Sequence, residues 1–378
     1  MEYVATCLFG VERMLADEID ALGYKRTETS DGRITFEGDE AAIARCNLWL
    51  RTAERLYVKI GAFSAETFDA LFEGTRALPW EEWLDRDAWF PVTGHALKSA
   101  LFSVPDCQAI VKKAIVERLK GKYGLEWFGE TGAKYRIEFF IFHDKATLMI
   151  DASGTPLHKR GYRLASNDAP LRETLAAALV KLSRPREGVL FHDPFCGSGT
   201  IPIEAALMMT NTAPGIGRSF AAEEFASVDK RLFALARQEA EAAKIAADGF
   251  EAWASDIDPK FVSITKGNIR RAGVGAHVRA FVADALDISS GGRRGTVVCN
   301  PPYGERLSDR RACEALYADM GRAFARLGSW QIYVLSSHDD FESFYGRKAD
   351  KVRKLYNGMI KCCCYQFFRP AERLKKQK

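Results

Sequence analysis

The chain has 378 residues, of which 47% are hydrophobic and 28% charged, and its formal net charge is +4. This length accommodates two or three domains, and the composition is that of a globular protein rather than a disordered one. No apolar run is long enough to cross a membrane and the first residues contain no secretory signal, so we expect a cytoplasmic protein without a membrane partner.

The first part of the chain alternates short strands with helices. Strand patterns cover residues 3–9, 25–29, 34–36 and 55–63, and Asp31-Gly32 is a hairpin turn signal between the second and third. Apolar periodicity predicts helices at 11–22 and after Asp39 through residue 48. These elements form a small α+β domain, which we place at residues 1–63.

A second α+β domain is predicted at residues 64–154. It contains a helix at 66–73, an extended segment at 88–98, a helix at 105–123 and a hairpin from strands 135–142 and 146–150. Charge alone favours a solvated face for the basic cluster on its long helix, which comprises Lys112, Lys113, Arg118, Lys120 and Lys122. Residues 155–168, rich in Arg, His and Lys, are predicted to be a linker.

From residue 169 to 378 the pattern changes to strand–helix repeats with longer helices, followed by a terminal hairpin around Asn357-Gly358. Strands are predicted at 189–192, 252–255, 278–282, 297–299 and 331–335. Helices are predicted at 171–182, 200–209, 230–247, 260–272 and 313–327. Alternation of this kind is typical of a doubly wound α/β domain with a parallel sheet.

Charge is distributed unevenly along the chain. Residues 1–160 contain 21 Lys+Arg and 25 Asp+Glu, a balance of −4, whereas the remainder contains 33 and 25, a balance of +8.

No Cys-x-x-Cys pair is present to start a zinc site, and the adjacent Cys362, Cys363 and Cys364 would point to alternate faces of a strand. We therefore predict no metal site and small, buried cysteine side chains.

A glycine-containing loop follows the first strand of the repeats. Its two glycines permit a tight turn and close approach of the backbone to a ligand. The third glycine of a dinucleotide fingerprint and the lysine of a phosphate loop are both missing, and the opening acid suits a cationic or hydroxyl-bearing ligand. The loop comprises Asp193, Pro194, Phe195, Cys196, Gly197, Ser198, Gly199 and Thr200.

Acidic residues also end the next two strands. Asp256, followed by Ile257, stands where nucleotide-binding sheets hold ribose hydroxyls, and Asp284, followed by Ala285, could accept a hydrogen bond from an adenine amine. A single acid at the end of a strand can also be the N-cap of the next helix. The sequence predicts this role for Asp258, which precedes Pro259.

The fourth strand leads into Asn300, Pro301, Pro302 and Tyr303. An Asn carboxamide offers a hydrogen-bond acceptor, two prolines stiffen the turn, and a Tyr ring gives a flat face for an unstacked base. Each of four successive strands is thus followed by a chemically suggestive feature: in order, a glycine loop, an acid, a second acid and this tetrapeptide. Helix capping by the acids does not explain this order.

This constellation resembles class I S-adenosylmethionine-dependent methyltransferases, and Asn300 to Tyr303 resemble the motif of those that methylate exocyclic amines of adenine or guanine. The resemblance implies S-adenosyl-L-methionine as cofactor, with its methionine part among residues 193–200, and it places Asn300 among the cofactor-binding residues. It also implies that Asp256 binds the ribose, Ile257 packs on the adenine, and Asp284 with Ala285 contacts the adenine edge.

A closer resemblance covers nearly the whole chain. Residues 157–163, 171–178, 213–215 and 300–306 are similar to segments of ribosomal RNA guanine-N2 methyltransferases. The resemblance implies a Rossmann-like catalytic domain with a mostly parallel seven-stranded sheet, preceded by ferredoxin-like and THUMP RNA-binding domains. The implied partner is RNA, either 23S ribosomal RNA or a ribosomal assembly intermediate.

The implied reaction methylates N2 of a guanine that stacks on Tyr303, while the Asn300 side chain and the Pro301 carbonyl accept from the amine. The tetrapeptide does not separate guanine from adenine, so a tRNA guanine-N2 or adenine-N6 methyltransferase is the alternative. A non-catalytic RNA-binding or assembly factor is a second one. A cytosine-C5 reaction with Cys299 as nucleophile is disfavoured, because that residue is predicted to point into the core.

Overall fold

The computed structural model describes residues 1–163, 171–303 and 307–368. Three predicted features therefore fall wholly or partly outside the described residues. These are the end of the linker, Gly304-Glu305-Arg306 after the tetrapeptide, and the basic tail. The chain divides into two units, one of residues 1–6, 16–157 and 218–239, the other of residues 7–15, 158–217 and 240–378.

The first unit is built on a mixed seven-stranded sheet in the order β2-β3-β1-β4-β7-β6-β5. Its strands are β1 (Glu2–Cys7), β2 (Lys25–Ser30), β3 (Arg33–Glu37), β4 (Ala53–Ser64), β5 (Val92–Leu97), β6 (Ile137–Phe142) and β7 (Lys145–Asp151). Its helices are α1 (Glu12–Ala21), α2 (Ala42–Trp49), α3 (Phe68–Ala77) and α4 (Val104–Tyr123).

One continuous sheet thus spans both predicted N-terminal domains. β4 pairs antiparallel with β7 over seven positions, from Tyr57↔Asp151 to Ser64↔Lys145. The sequence did not predict this pairing, because strands about ninety residues apart carry no local signal of their partnership. The boundaries placed at 63, 154 and 168 remain predictions.

The second unit contains the predicted doubly wound sheet, in the order β10-β9-β8-β11-β12-β14-β13. Its strands are β8 (Leu190–Asp193), β9 (Ala252–Asp256), β10 (Val278–Val282), β11 (Gly295–Cys299), β12 (Gln331–Ser336), β13 (Lys351–Asn357) and β14 (Ile360–Phe367). Helices α5 (Glu173–Ser183), α6 (Thr200–Met209), α7 (Arg231–Ala242), α8 (Pro259–Ala272), α9 (Leu307–Ala325) and α10 (Phe341–Tyr345) follow in chain order, α7 falling largely in the first unit.

The strand directions confirm the mostly parallel seven-stranded sheet. Strands β10, β9, β8, β11 and β12 run parallel, and β14 then pairs antiparallel with both β12 and β13. Parallel strands need covering on both faces, which accounts for their apolar sequences, and β11 is buried along its whole length.

Some predicted boundaries were wrong. The extended segment at 88–98, for which the sequence predicts interruptions at Pro91 and Gly94, forms a strand over Val92–Leu97 and a separate bridge between Trp89 and Lys134. The helix predicted at 230–247 ends at Ala242, and the one predicted from residue 313 begins at Leu307. The short α10 was not predicted, since five residues are too few for a periodic signal.

Eight of the nine cysteines are buried, as predicted, whereas Cys363 is half-buried. Within the described residues, no helix is long and apolar enough to span a bilayer.

Helix α9 packs closely on α10 through Gly321. A Cβ atom built on Gly321 would lie 2.0 Å from the backbone oxygen of Tyr345. We expect Gly321→Ala to lower the free energy of unfolding by on the order of 2 kcal/mol, because α9 must move away from a backbone that cannot yield. Urea denaturation measures the change.

The matched control is Gly267→Ala on α8, where the new Cβ would meet only the end of the Arg271 side chain, 3.4 Å away. Because alanine favours helix by about 1 kcal/mol over glycine, this variant should be neutral or stabilised. Equal stability of the two variants would contradict the packing argument.

Candidate active site

The predicted glycine loop and the predicted tetrapeptide meet at one pocket. β8 pairs in parallel with β9 and with β11, so the segments that follow these strands emerge at the same edge of the sheet. Most of the loop lies here beside Asn300. The pocket is lined by Leu171, Asp193, Phe195, Cys196, Gly197, Ser198, Thr200, Ile201 and Asn300.

The loop is held by the strand next to it. The Cys196 N–H donates to the Ser255 carbonyl at 2.9 Å, and the Gly197 N–H donates to Asp256 Oδ2 at 3.0 Å. The second oxygen of Asp256 accepts from the Asp258 N–H, also at 3.0 Å. Asp256 therefore braces two turns, and each oxygen keeps a further lone pair for a ligand hydroxyl.

Helix α8 supports the same loop from outside the sheet. Thr265 Oγ1 donates to the Gly197 carbonyl at 2.8 Å, and Asn268 Nδ2 donates to the Ser198 carbonyl at 2.8 Å. Sequence reasoning missed both residues. Their signal was present, because Thr265 and Asn268 occupy the buried face of an amphipathic helix, where polar side chains need a partner.

Asp193 opens the loop as a buried acid. Its carboxylate accepts from the Phe195 N–H at 3.1 Å, and burial raises the pKa of Asp193 well above its usual value, with a further contribution from nearby Asp256. A cation in the pocket would favour the charged carboxylate. Since no Lys or Arg is among the described lining residues, the pocket suits a cationic or hydroxyl-bearing ligand better than a phosphate.

The remaining predicted cofactor residues lie at the ends of β9 and β10. Ile257 is 68% exposed, which leaves an apolar side chain available to a flat ring. Asp284 accepts from the Leu286 N–H at 2.9 Å and caps a short 3-10 turn that contains the buried Ala285. These three residues, like Asp256, are not among those that line the pocket, while Pro194 and Gly199 lie buried within the loop itself.

The tetrapeptide is fixed by two tyrosine hydroxyls. Tyr303 Oη donates to Asn300 Oδ1, and burial raises the pKa of Tyr303 well above its usual value, so the phenol stays protonated. Tyr317 of α9 donates to the Pro302 carbonyl at 2.7 Å. Pro301 is buried and Pro302 exposed. The acceptor predicted for a base amine is thus already shared with Tyr303.

Cys299 lies fully buried in β11, as predicted, and burial raises the pKa of its thiol well above the usual value. A protonated, inaccessible thiol is a poor nucleophile, which argues against the cytosine-C5 alternative.

Arg163 joins the pocket wall to α6, a role that sequence reasoning did not assign. Its guanidinium donates to the Leu171 carbonyl at 2.8 Å, to Glu173 Oε2 at 2.8 Å and to Thr200 Oγ1 at 3.3 Å. The backbone of Leu171 is therefore held by a guanidinium that is itself fixed in a nearly buried ion pair with Glu173.

Three protein families account for nearly the whole chain. The RlmL ferredoxin-like domain matches residues 2–57, the THUMP domain matches residues 65–151, and the RMKL-like methyltransferase domain matches residues 160–366. The chain belongs to the RMKL-like methyltransferases. The predicted order of ferredoxin-like, THUMP and Rossmann-like methyltransferase domains is confirmed.

Two curated relatives illustrate the range of the family. YpsC of Bacillus subtilis (strain 168), an RNA methyltransferase by name, is 47% identical over 97% of this chain and 95% of its own length. Ribosomal RNA large subunit methyltransferase K/L of Syntrophotalea carbinolica is 34% identical over 97% of this chain but 53% of its own length. The chain thus spans about half the length of the K/L proteins.

Solved structures of similar sequence share the fold. SMU.472, a methyltransferase by title and complexed with SAH, is 40% identical with a TM-score of 0.91, covering 97% of this chain and 98% of its own. A Listeria monocytogenes protein titled a predicted N6-adenine-specific DNA methylase is 48% identical with a TM-score of 0.92, covering 98% of this chain and 96% of its own. The SAH in SMU.472 agrees with the predicted cofactor.

Gly199 tests the geometry of the loop. Its φ is +80°, and a Cβ atom there would lie 2.6 Å from Thr265 Cγ2. We expect Gly199→Ala to displace the loop from α8 and weaken cofactor binding on the order of tenfold or more, beyond the backbone strain of about 1 kcal/mol. Isothermal titration calorimetry measures the affinity.

Gly188→Ala is the control, because Gly188 has a similar φ of +71° and a Cβ atom added there would meet no other atom within 4 Å. Gly188→Ala should introduce a similar backbone strain at positive φ but leave the affinity for the cofactor unchanged. If both variants bind the cofactor equally, the contact with Thr265 does not shape the loop.

Proposed function

We propose that the chain transfers a methyl group from S-adenosyl-L-methionine to N2 of a guanine in RNA, with 23S ribosomal RNA as substrate. The observation that carries this proposal is the shared pocket, in which Asn300 lies beside the glycine loop after β8. A base amine held by Asn300 would therefore lie next to the methyl donor.

The residues of the pocket fit the cofactor. S-adenosyl-L-methionine supplies a methyl group already activated by a sulfonium. Asp193 and the loop through Thr200 would surround its methionine part. Positive charge suits this acid, since the described residues that line the pocket include no Lys or Arg. Asp256 would bind the ribose, while Ile257, Asp284 and Ala285 would contact the adenine.

The tetrapeptide would orient the base. A carboxamide oxygen has two lone pairs, so Asn300 Oδ1 can accept from Tyr303 and from the amine together. The Pro301 carbonyl would accept the second amine hydrogen, and the Tyr303 ring would stack on the base. Catalysis then rests mainly on proximity and orientation, and the proton can leave to water after transfer.

Two features favour RNA as the substrate. The chain carries a THUMP domain, and the relatives named for large-subunit ribosomal RNA match it along nearly its whole length. Adenine N6 is the second candidate for the methylated group, because the tetrapeptide fits either amine and a similar structure is titled an adenine-specific methylase. A tRNA target and a non-catalytic assembly role remain further alternatives.

Mapping of methylated bases tests the proposal. Ribosomal and transfer RNA from cells lacking the gene are digested and analysed by mass spectrometry, with and without the purified protein and cofactor. We expect one N2-methylguanine in 23S RNA to be absent and then restored. Restoration of N6-methyladenine instead, or of a tRNA nucleotide, would replace the proposed substrate, and lack of cofactor affinity would favour an assembly factor.

Asn300→Ala removes the amine acceptor and leaves the glycine loop intact. We expect the rate of methyl transfer to fall by a factor of about 100 or more, because the amine is no longer aligned with the methyl group. Cofactor affinity, measured by calorimetry, should fall far less than the rate, because the glycine loop keeps its own contacts with the cofactor. Full activity in this variant would refute the proposed mechanism.

Two substitutions of Tyr303 distinguish the contribution of ring stacking from that of the hydroxyl hydrogen bond. Tyr303→Ala should raise the KM for RNA roughly 10- to 100-fold, since base stacking on an aromatic ring contributes about 1–3 kcal/mol. Tyr303→Phe keeps the ring and loses only the bond to Asn300, so its KM should stay within a few-fold of wild type. Equal effects of the two substitutions would assign the role to the hydroxyl rather than to the ring.

A further inference from the structure

The hairpin of β13 and β14 is strongly basic at its outer end. Residues 351–361 contain four Lys or Arg and no acid, and they lie in the half of the chain that holds the basic surplus. Lys351, Lys354 and Lys361 are exposed, and Met359 at the turn is 97% exposed. The methyl-transfer site uses none of these side chains.

Two of the lysines lie on one face of the hairpin. Lys354 pairs with Cys363 and Tyr356 pairs with Lys361, so Lys354 and Lys361 are diagonal neighbours across the strands. Diagonal Cβ atoms are about 7–8 Å apart, within reach of one extended anionic ligand. The half-buried Tyr356 between them adds an aromatic ring that packs edge-on against Phe9, with ring centroids 5.7 Å apart.

These lysines differ from the basic cluster on α4. There Lys112 contacts Glu130, Arg118 contacts Glu81 at 2.6 Å, and Lys120 contacts Glu117 at 3.3 Å. In the part of the chain that the structure describes, Lys351, Lys354 and Lys361 have no such carboxylate. The charge of α4 is largely neutralised, whereas that of the hairpin is available to a partner.

The hairpin also reaches the tetrapeptide. The side chains of Tyr303 and Cys362 lie near enough to influence each other's pKa, which places the first residues of β14 near the motif. A Cβ atom built on Gly358 in the turn would lie 3.8 Å from Arg172 Nη2, and Arg172 directly follows the pocket residue Leu171. Cys362 lies on the face of the hairpin opposite to Lys354 and Lys361, because successive strand residues alternate between faces. A chain bound to the two lysines would therefore reach the pocket by crossing the turn at Gly358, beside Arg172.

From this arrangement we propose that the hairpin, residues 351–361, binds the phosphate backbone of the RNA substrate and guides the target nucleotide toward Asn300. The inference rests on the proposed function, because it names the surface that delivers RNA to that site. Phosphate contacts position a nucleic acid without reading its sequence, and exposed lysines beside an aromatic ring suit a single strand.

A structural role for these lysines has to be separated from RNA binding. β13 is an edge strand, and lysines on edge strands protect against pairing with another chain. Glutamate protects an edge equally well but repels phosphate. Reversing the charge therefore keeps the protective role and removes the proposed one.

The decisive comparison uses two double variants with the same change in charge. The hairpin variant is Lys354→Glu/Lys361→Glu, and the control is Lys266→Glu/Arg270→Glu, two exposed residues of α8. Binding to unmodified 23S ribosomal RNA from cells lacking the gene is measured against salt concentration, with methyl-transfer kinetics, cofactor affinity and size-exclusion chromatography in parallel. A Lys354→Arg/Lys361→Arg variant retains the charge.

We expect the hairpin variant to raise the KM for RNA on the order of tenfold and to lower the slope of log affinity against log salt by about 2, one for each lost phosphate contact. Its kcat at saturating RNA, its cofactor affinity and its oligomeric state should match wild type. The arginine variant should retain RNA affinity.

Two outcomes count against the inference, and they differ from failure of the proposed function. If wild-type protein methylates RNA and the hairpin and control variants weaken binding equally, the hairpin is not the RNA surface. The same conclusion follows if the hairpin variant binds RNA as tightly as wild type. If wild-type protein methylates no RNA, the proposed function itself is wrong.

Discussion

The hydrogen bond from the Gly197 N–H to Asp256 Oδ2 joins the segments that follow β8 and β9, and the site depends on it. The parallel pairing of β8 with β9 brings the strand ends together, but this pairing alone does not fix the conformation of the turns that follow the strands. A carboxylate that accepts two backbone N–H groups fixes both turns at once. Thr265 and Asn268 then complete the support from α8 by bonding to loop carbonyls.

Hydrogen bonds also fix the tetrapeptide. Here two tyrosine hydroxyls donate to a backbone carbonyl oxygen and to a side-chain amide oxygen. Tyr317 holds the Pro302 carbonyl, and Tyr303 holds Asn300. Neither tyrosine is ionised, since burial raises the pKa of Tyr317 to about 12 and that of Tyr303 well above its usual value. The motif is therefore a neutral, oriented set of acceptors, which suits recognition of an uncharged amine.

Much of the architecture was predictable from local patterns, while most contacts between distant segments were not. Alternating strands and helices predicted the doubly wound sheet, and the order of loop, acid, acid and tetrapeptide predicted which strand ends carry chemistry. The bond between Tyr303 and Asn300 was not predictable, because a side-chain rotamer depends on packing against β14. The neutralisation of α4 was equally hidden, since Glu81 and Glu130 lie far from their partners along the chain.

The pairing of β4 with β7 has a consequence for how the front of the protein can be divided. Residues 2–57, the ferredoxin-like match, contain the beginning of β4 but not its end. The THUMP match begins at residue 65, directly after β4 ends at Ser64. A cut there would remove the whole of β4, with which β7 pairs, and expose unpaired backbone along β7, a template for association with other chains. The THUMP portion is therefore not an autonomous module that could be excised or grafted whole, and recombination within this region would have to exchange the entire sheet.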